Sequence, residues 1–226
     1  MKVLAFDTSS KALSVALLEE ENRLAELTLT IKKNHSITLI PTIEFLMASI
    51  DWKPTDLDRI VVAEGPGSYT GLRIAVATAK TLAQTLKIDL VGVSSLLALV
   101  PEEIEGLAIP VMDARNHVYA GFYQEDQLVY PEAHLSFEAV LERVKGAEKV
   151  TFLGEVEAFR EQIQEALPNA QMVETLPDAV RIGRLGLTKE AVSVHGFVPN
   201  YLKWVEAEEN WLKDHQESGQ SYIKRL

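Results

Sequence analysis

A chain of 226 residues with 47% hydrophobic content has enough apolar side chain for a proper core, arranged as one large domain or two small ones. Its formal charge of −11 argues against a surface that grips nucleic acid by itself. The absence of cysteine excludes disulfides, a thiol nucleophile and a cysteine zinc site.

Asp7 falls within the first apolar run, which does not read as a signal peptide. No apolar stretch approaches the ~20 residues needed to span a bilayer. A soluble, cytoplasmic protein without membrane contact is expected.

Lys2 to Asp7 reads as a buried strand, and Thr8 to Lys11 as a tight turn. Ala12 to Leu18 and Arg23 to Ile31 continue as a hairpin. A polar turn then opens a helix from about Ser36 to Ile50, with Pro41 tolerated near its start. Leu39, Ile43, Leu46 and Ile50 form its core arc. Ile37, Ile40 and Met47 carry apolar character to a second side, so this helix is expected to be buried on more than one side.

Arg59 to Ala63 is β-branched and reads as a buried strand, broken by Gly65-Pro66-Gly67. Ser68 and Thr70 can accept the free N–H groups of the helix that follows, from Gly71 to Lys87. Leu72, Ala75, Val76, Ala79, Leu82, Ala83 and Leu86 share its core arc, and Arg73, Lys80 and Lys87 form a basic stripe beside it. The remaining arc holds Ile74, Ala77, Thr78, Thr81 and Thr85. Such small side chains let a partner helix approach; a merely solvated, threonine-rich face is the alternative. The turn lacks both the P-loop lysine and the dinucleotide G-x-G-x-x-G, so it carries only a weak anion-binding signal. A strand at Leu90–Val93 follows.

The second half runs through strands at Ile109–Asp113, His117–Tyr123 and Gln127–Tyr130, a helix at Phe137–Val144, a strand at Val150–Leu153 and helices at Glu157–Ala166 and Ala179–Glu190. This repeats the hairpin-then-helix plan of the first half: a duplicated α/β design, with lobes expected at residues 1–105 and 106–226. The acidic tail from Val205 to Asp214 is expected to be helical and to pack back through Trp204 and Trp211.

Asp7-Thr8-Ser9 after the first strand, Asn34-His35-Ser36 opening a helix, GPGSYTGLR at 65–73, VGVSSL at 91–96, DARNHVYAGFY at 113–123 and PNYLK at 199–203 together resemble the bacterial TsaB (YeaZ) family. The resemblance covers nearly the whole chain, and GPGSYTGLR is its most diagnostic segment. It implies the actin/sugar-kinase/Hsp70-like (ASKHA, ribonuclease H-like) fold of two duplicated α/β lobes, the second reduced. It also implies a non-enzymatic paralogue of TsaD, the enzyme that transfers a threonylcarbamoyl group to adenosine 37 of ANN-reading tRNAs. The implied partners are TsaD, as a heterodimer, and the ATPase TsaE, with tRNA met only through the complex. Older usage groups both paralogues with peptidases of the M22 type.

Against the TsaD pattern, Ser95 and Leu99 stand where two metal-holding histidines would be, and leucine cannot ligate. The second-lobe phosphate turn reads Asp113-Ala114-Arg115-Asn116, without glycines and with an anion that repels phosphate. Leu153-Gly154-Glu155-Val156 lies where an adenosine-binding glycine pair belongs. Only Asp7, Thr8 and Ser9 remain as a vestigial phosphate loop. No metal and no cofactor are expected.

His35, His117, His134, His195 and His215 are scattered without H-E-x-x-H spacing. Ser68 lacks a G-x-S-x-G elbow. Asp113 and Arg115 are candidates for a structural ion pair. Two readings follow: a scaffold that docks through Ile37, Ile40, Met47, Ile74, Ala77, Thr78 and Thr81, alone forming a homodimer through the same helices or not, and a peptidase-like hydrolase or weak ATPase using the first-lobe loop.

Overall fold

The structure, a computed structural model, describes residues 1–30 and 34–203. The acidic tail with Trp204 and Trp211 lies outside the described residues. Two five-stranded sheets form the frame.

In the first sheet β1 (Lys2–Asp7), β2 (Ala12–Glu19) and β3 (Asn22–Thr30) run as an antiparallel meander. Helix α1 (His35–Ser49) leads to β4 (Arg59–Gly65), and α2 (Tyr69–Leu86) leads to β5 (Asp89–Ser94). β4 lies parallel to β1 and β5 parallel to β4, giving the order β3-β2-β1-β4-β5. The second sheet repeats the plan. β6 (Leu107–Asp113), β7 (Val118–Gln124) and β8 (Gln127–Leu135) form the meander. α3 (Phe137–Arg143), β9 (Val150–Gly154), α4 (Arg160–Ala166) and β10 (Gln171–Val173) follow. The order β10-β9-β6-β7-β8 is the same arrangement in mirror listing. β10, three residues on the sheet edge, was not anticipated; so short a segment shows no periodicity.

Strand alternation divides the first lobe's core in two. Leu4, Phe6, Val15, Ile60 and Val62 face α1 and α2, while Val3, Ala5, Ala16, Val61 and Ala63 face the other way. That second face is covered by α5 (Ala179–Leu187), through Ala179, Val180 and Ile182. Arg59 fixes the end of α5: its guanidinium donates to the carbonyls of Gly186 (2.8 Å) and Leu187 (3.1 Å) and reaches Asp89 at 2.7 Å. A cation on the last carbonyls of a helix is favourable both as hydrogen-bond donor and toward the dipole.

After α5 the chain stays on the first lobe. Val192 N donates to Leu90 O, Phe197 enters the α1/α2 core, and Asn200 N donates to Glu64 O at 2.7 Å. A division of the chain at residue 105 therefore separates α5 and the segment after it from the sheet they cover. Lys80, expected in a basic stripe, instead donates to the carbonyls of His195 (3.0 Å) and Phe197 (2.7 Å). On the second sheet, α3 and α4 cover one face. The other face rests on the connector after β5, where Leu96, Leu97, Leu99 and Val100 meet Ala108, Met112, Tyr123 and Leu153.

Candidate functional site

The β1–β2 turn is the place where this arrangement of strands could hold a phosphate. Its three polar residues are buried. Asp7 accepts both the backbone N–H and the hydroxyl of Ser9, and Thr8 donates its hydroxyl to Gly71 O at 2.7 Å. Ser68 N donates to Ser9 O at 2.6 Å, which draws the 65–68 turn down onto the loop. At Gly67 a Cβ would stand 2.5 Å from Ser9 O, and at Gly71 it would collide with Thr8 O. Glycine is required at both places by this close approach of backbone to backbone.

The side chains expected as a vestigial phosphate loop thus point inward and are committed to the protein itself. Burial pushes the Asp7 carboxyl up to about 6 despite its bonds to Ser9 and the nearby His35. His35, first residue of α1, contacts Ser10 O through Nε2 at 3.0 Å and ties the helix start to the same loop. Ser68 is the N-cap of α2, its hydroxyl accepting Gly71 N–H at 3.3 Å.

Between the lobes lies a cleft of about 490 Å³ walled by Ser10, Lys11, Tyr69, Arg115 and Glu155 among others. On its second-lobe side, Asp113 accepts Arg115 N–H at 3.0 Å, so the two meet through backbone and not as the side-chain ion pair expected. Glu155 accepts Asp113 N–H at 2.9 Å and faces Lys11 across the cleft at 3.8 Å. Asp113 and Glu155 set two carboxylates on this wall, and the cations Lys11 and Arg115 line the same cleft. Ser95 exchanges two bonds with Gly65, its hydroxyl accepting at 3.1 Å and its N–H donating at 2.9 Å, and Leu99 is core. Leu99 has no ligating atom and the Ser95 hydroxyl is already engaged with Gly65, and among the described residues no group of three or more His, Asp or Glu side chains is placed to hold a metal ion.

The second candidate region is the outer surface of α1 and α2. Ile37 is 69% exposed, Ile40 41% and Phe45 62%. Met47, expected with them, is only 5% exposed and packs in the core beside Ile43; it lies one turn from Ile43 on the buried arc. Phe45 takes its place as an exposed apolar group that sequence reasoning missed. It continues the i, i+4, i+8 line from Ile37 through Pro41, a signal present in the sequence.

On α2, Ala77 and Thr81 are exposed, while Ile74 and Thr78 are half-buried, Ile74 against the core. Three hydroxyls of this surface turn back on the backbone of their own helices. Thr81 donates to Ala77 O (2.8 Å), Thr38 to Asn34 O (2.8 Å) and Ser49 to Phe45 O (2.7 Å). What they present outward is methyl and methylene, so the surface is less polar than its composition. At the N-terminal end of α2, Arg73 lies over the Tyr69 ring at 4.6 Å, and the Tyr201 ring meets Tyr69 at 5.2 Å with a tilt of 31°.

Two sheets of one connectivity, joined across a cleft with a hairpin turn beneath a glycine turn, define the ASKHA class of fold. The activator of 2-hydroxyisocaproyl-CoA dehydratase from Clostridium difficile shares that fold, with a TM-score of 0.52 over 85% of this chain and all of that one, at 11% identity. Nearer is the solved YeaZ from Pseudomonas aeruginosa, with a TM-score of 0.75 at 29% identity over 88% of this chain and 100% of that chain.

The family model described as TsaD, tRNA N6-adenosine threonylcarbamoyltransferase, matches residues 24–211. The Bacillus subtilis tRNA threonylcarbamoyladenosine biosynthesis protein TsaB is 40% identical over 94% of this chain and 99% of its own length. The chain belongs to the TsaB (YeaZ) family, within the Gcp-like group that the TsaD model describes.

Proposed function

We propose that this chain is a non-catalytic subunit of the machinery that forms threonylcarbamoyladenosine in tRNA, and that it acts by docking α1 and α2 against the catalytic subunit TsaD. The observation that carries the reading is the exposed apolar surface of Ile37, Ile40, Phe45, Ala77 and Thr81, with its hydroxyls bonded back to their own helices. Large apolar side chains left exposed on neighbouring helices of a folded protein are the kind of surface that meets a partner. The half-buried Ile74 and Thr78 floor this surface, and small side chains on α2 set a short distance to the partner helix.

The inward-turned loop of Asp7, Thr8 and Ser9 and the carboxylates of the cleft support the non-catalytic part of the reading. In this scheme the ATPase TsaE joins the pair, and tRNA meets this chain only through the complex, in the cytoplasm. In the absence of TsaD the same face serves a second copy of this chain. Among the described residues no helix is long and apolar enough to cross a membrane.

Co-elution of this chain with TsaD from the same source, with and without nucleotide, tests the reading. The parent is expected to co-elute with TsaD, and a folded Ala77→Arg variant is expected to elute alone. Separate elution of the parent under both conditions overturns it.

A further inference from the structure

The β7–β8 hairpin belongs to the second sheet, yet it is tied to the first lobe at two separate points. At its tip, the Asp126 carboxylate pairs with the Arg181 guanidinium. Arg181 sits on α5, the helix packed on the first sheet, and its side chain is 8% exposed. A second carboxylate, Glu102 of the connector between lobes, lies 3.8 Å from Arg181 and takes Arg184 at 3.0 and 3.1 Å. The tip is thus held by a short charge network and not by one surface pair, the arrangement in which ion pairs fix geometry.

On the flank of the hairpin, Glu132 of β8 accepts hydrogen bonds from the hydroxyls of Tyr123 (β7) and Ser94 (the end of β5). Ser94 belongs to the first sheet, so this bond also crosses between lobes. Ser94 Oγ in turn accepts the N–H groups of Leu96 (3.1 Å) and Leu97 (3.2 Å), which fixes the connector where it leaves β5. In the flank latch the hydroxyls of Tyr123 and Ser94 converge on one Glu132 carboxylate oxygen, and beneath it the Tyr123 ring packs with Leu96, Leu97 and Leu153. A half-buried network of this kind resists displacement, because moving it strands a donor or acceptor away from water.

We propose that the β7–β8 hairpin is a strap that locks the two lobes into one body, through Asp126–Arg181 at its tip and Glu132–Ser94 on its flank. Two attachments on one hairpin oppose rotation about either. The cleft between Lys11 and Glu155 then stays at one width and does not close on a ligand. This goes beyond the docking reading and stands or falls separately from it.

Because the chain has no native cysteine, single thiols can be placed at will. Exposed Gln84 on α2 and exposed Gln164 on α4 report one lobe each. With Gln84→Cys and Gln164→Cys spin-labelled, pulsed electron resonance on the parent is expected to give one narrow distance distribution. Adding Asp126→Ala and Glu132→Ala together is expected to broaden it and add a longer-distance component.

Circular dichroism confirms folding. Should the double variant fail to fold, Asp126→Ala and Tyr123→Phe are each expected to broaden the distribution alone, by less. A parent distribution that is already broad overturns the strap. So does a folded latch variant as narrow as the parent, since the apolar contacts under Tyr123 would then hold the lobes unaided.

Discussion

Thr8 and Gly71 are locked together from both directions: the Thr8 hydroxyl donates to Gly71 O, and the Thr8 carbonyl occupies the space a Gly71 side chain would need. The relationship joins the β1–β2 turn to the first turn of α2 across more than sixty residues of chain. Gly71→Ala is therefore expected to destabilise the protein by about 1–3 kcal/mol, the usual cost of forcing atoms into a packed site. Thr8→Val removes only the hydrogen bond and is expected to cost about 1 kcal/mol. Urea midpoints at unchanged slope measure both. A Gly71→Ala midpoint equal to the parent's would show that the loop and helix are not in contact.

Asp7 gives the protein a pH dependence of unusual sign. Its folded-state pKa is raised from 3.8 to about 6, so the folded protein binds more protons than the unfolded chain between those values. Stability is expected to fall as pH rises through that window and to level off above it. The full loss is on the order of 3 kcal/mol, at 1.36 kcal/mol per unit. Asp7→Asn keeps a carbonyl for Ser9 N–H and an amide for the Ser9 hydroxyl without the charge. The variant is expected to match the parent near pH 4 and to exceed it in stability at pH 7. An advantage that does not change with pH would contradict the buried, titrating carboxyl.

The inward-turned loop predicts weak nucleotide binding. Thr8 and Ser9 have already committed their hydroxyls, and Glu155 and Asp113 oppose phosphate from the other wall. Isothermal titration of the isolated protein with ATP is expected to show no binding tighter than ~100 µM, which corresponds to ~5.5 kcal/mol. Micromolar affinity would reverse the scaffold reading in favour of a weak ATPase.

Residues of α1 and α2 should separate into two kinds of variant. Ala77→Arg and Ile40→Asp change exposed positions and are expected to leave the fold intact. Each would bury an unpaired charge at the docking face, costing several kcal/mol, so association should weaken by about a hundredfold or more, at ~1.4 kcal/mol per tenfold. Met47→Ala is expected to do the reverse: lower stability by about 2–5 kcal/mol through a core cavity, and spare association. Sedimentation velocity with TsaD and thermal unfolding of each variant distinguish the two. Wild-type association by folded Ala77→Arg and Ile40→Asp would sink the docking face.

Elements buried on one consistent pattern were open to reading from the chain. β1, β2 and β4 are continuous apolar runs because both faces of the sheet are covered, by α1 and α2 on one side and α5 on the other. The diagnostic GPGSYTGLR segment also has a plain physical content, since its glycines at 67 and 71 are those that admit Ser9 and Thr8. The reading failed at the margins of α1. There the helical spacing did carry the answer, since Met47 shares the buried arc with Ile43 and Phe45 the exposed line with Ile37, but apolar character on two sides hid which arc was covered.

The sequence by itself determined the duplicated hairpin-and-helix order and the two helices with apolar character beyond one face. These are local properties: hydrophobic period, turn chemistry and side-chain type act within a few residues of chain. Only the tertiary structure decided that α5 returns to the first sheet, that Asp7, Thr8 and Ser9 turn inward, and that Asp126 and Glu132 reach across to Arg181 and Ser94. Each of those pairs distant stretches of chain, and their meeting is set by how two packed sheets fill the space between them.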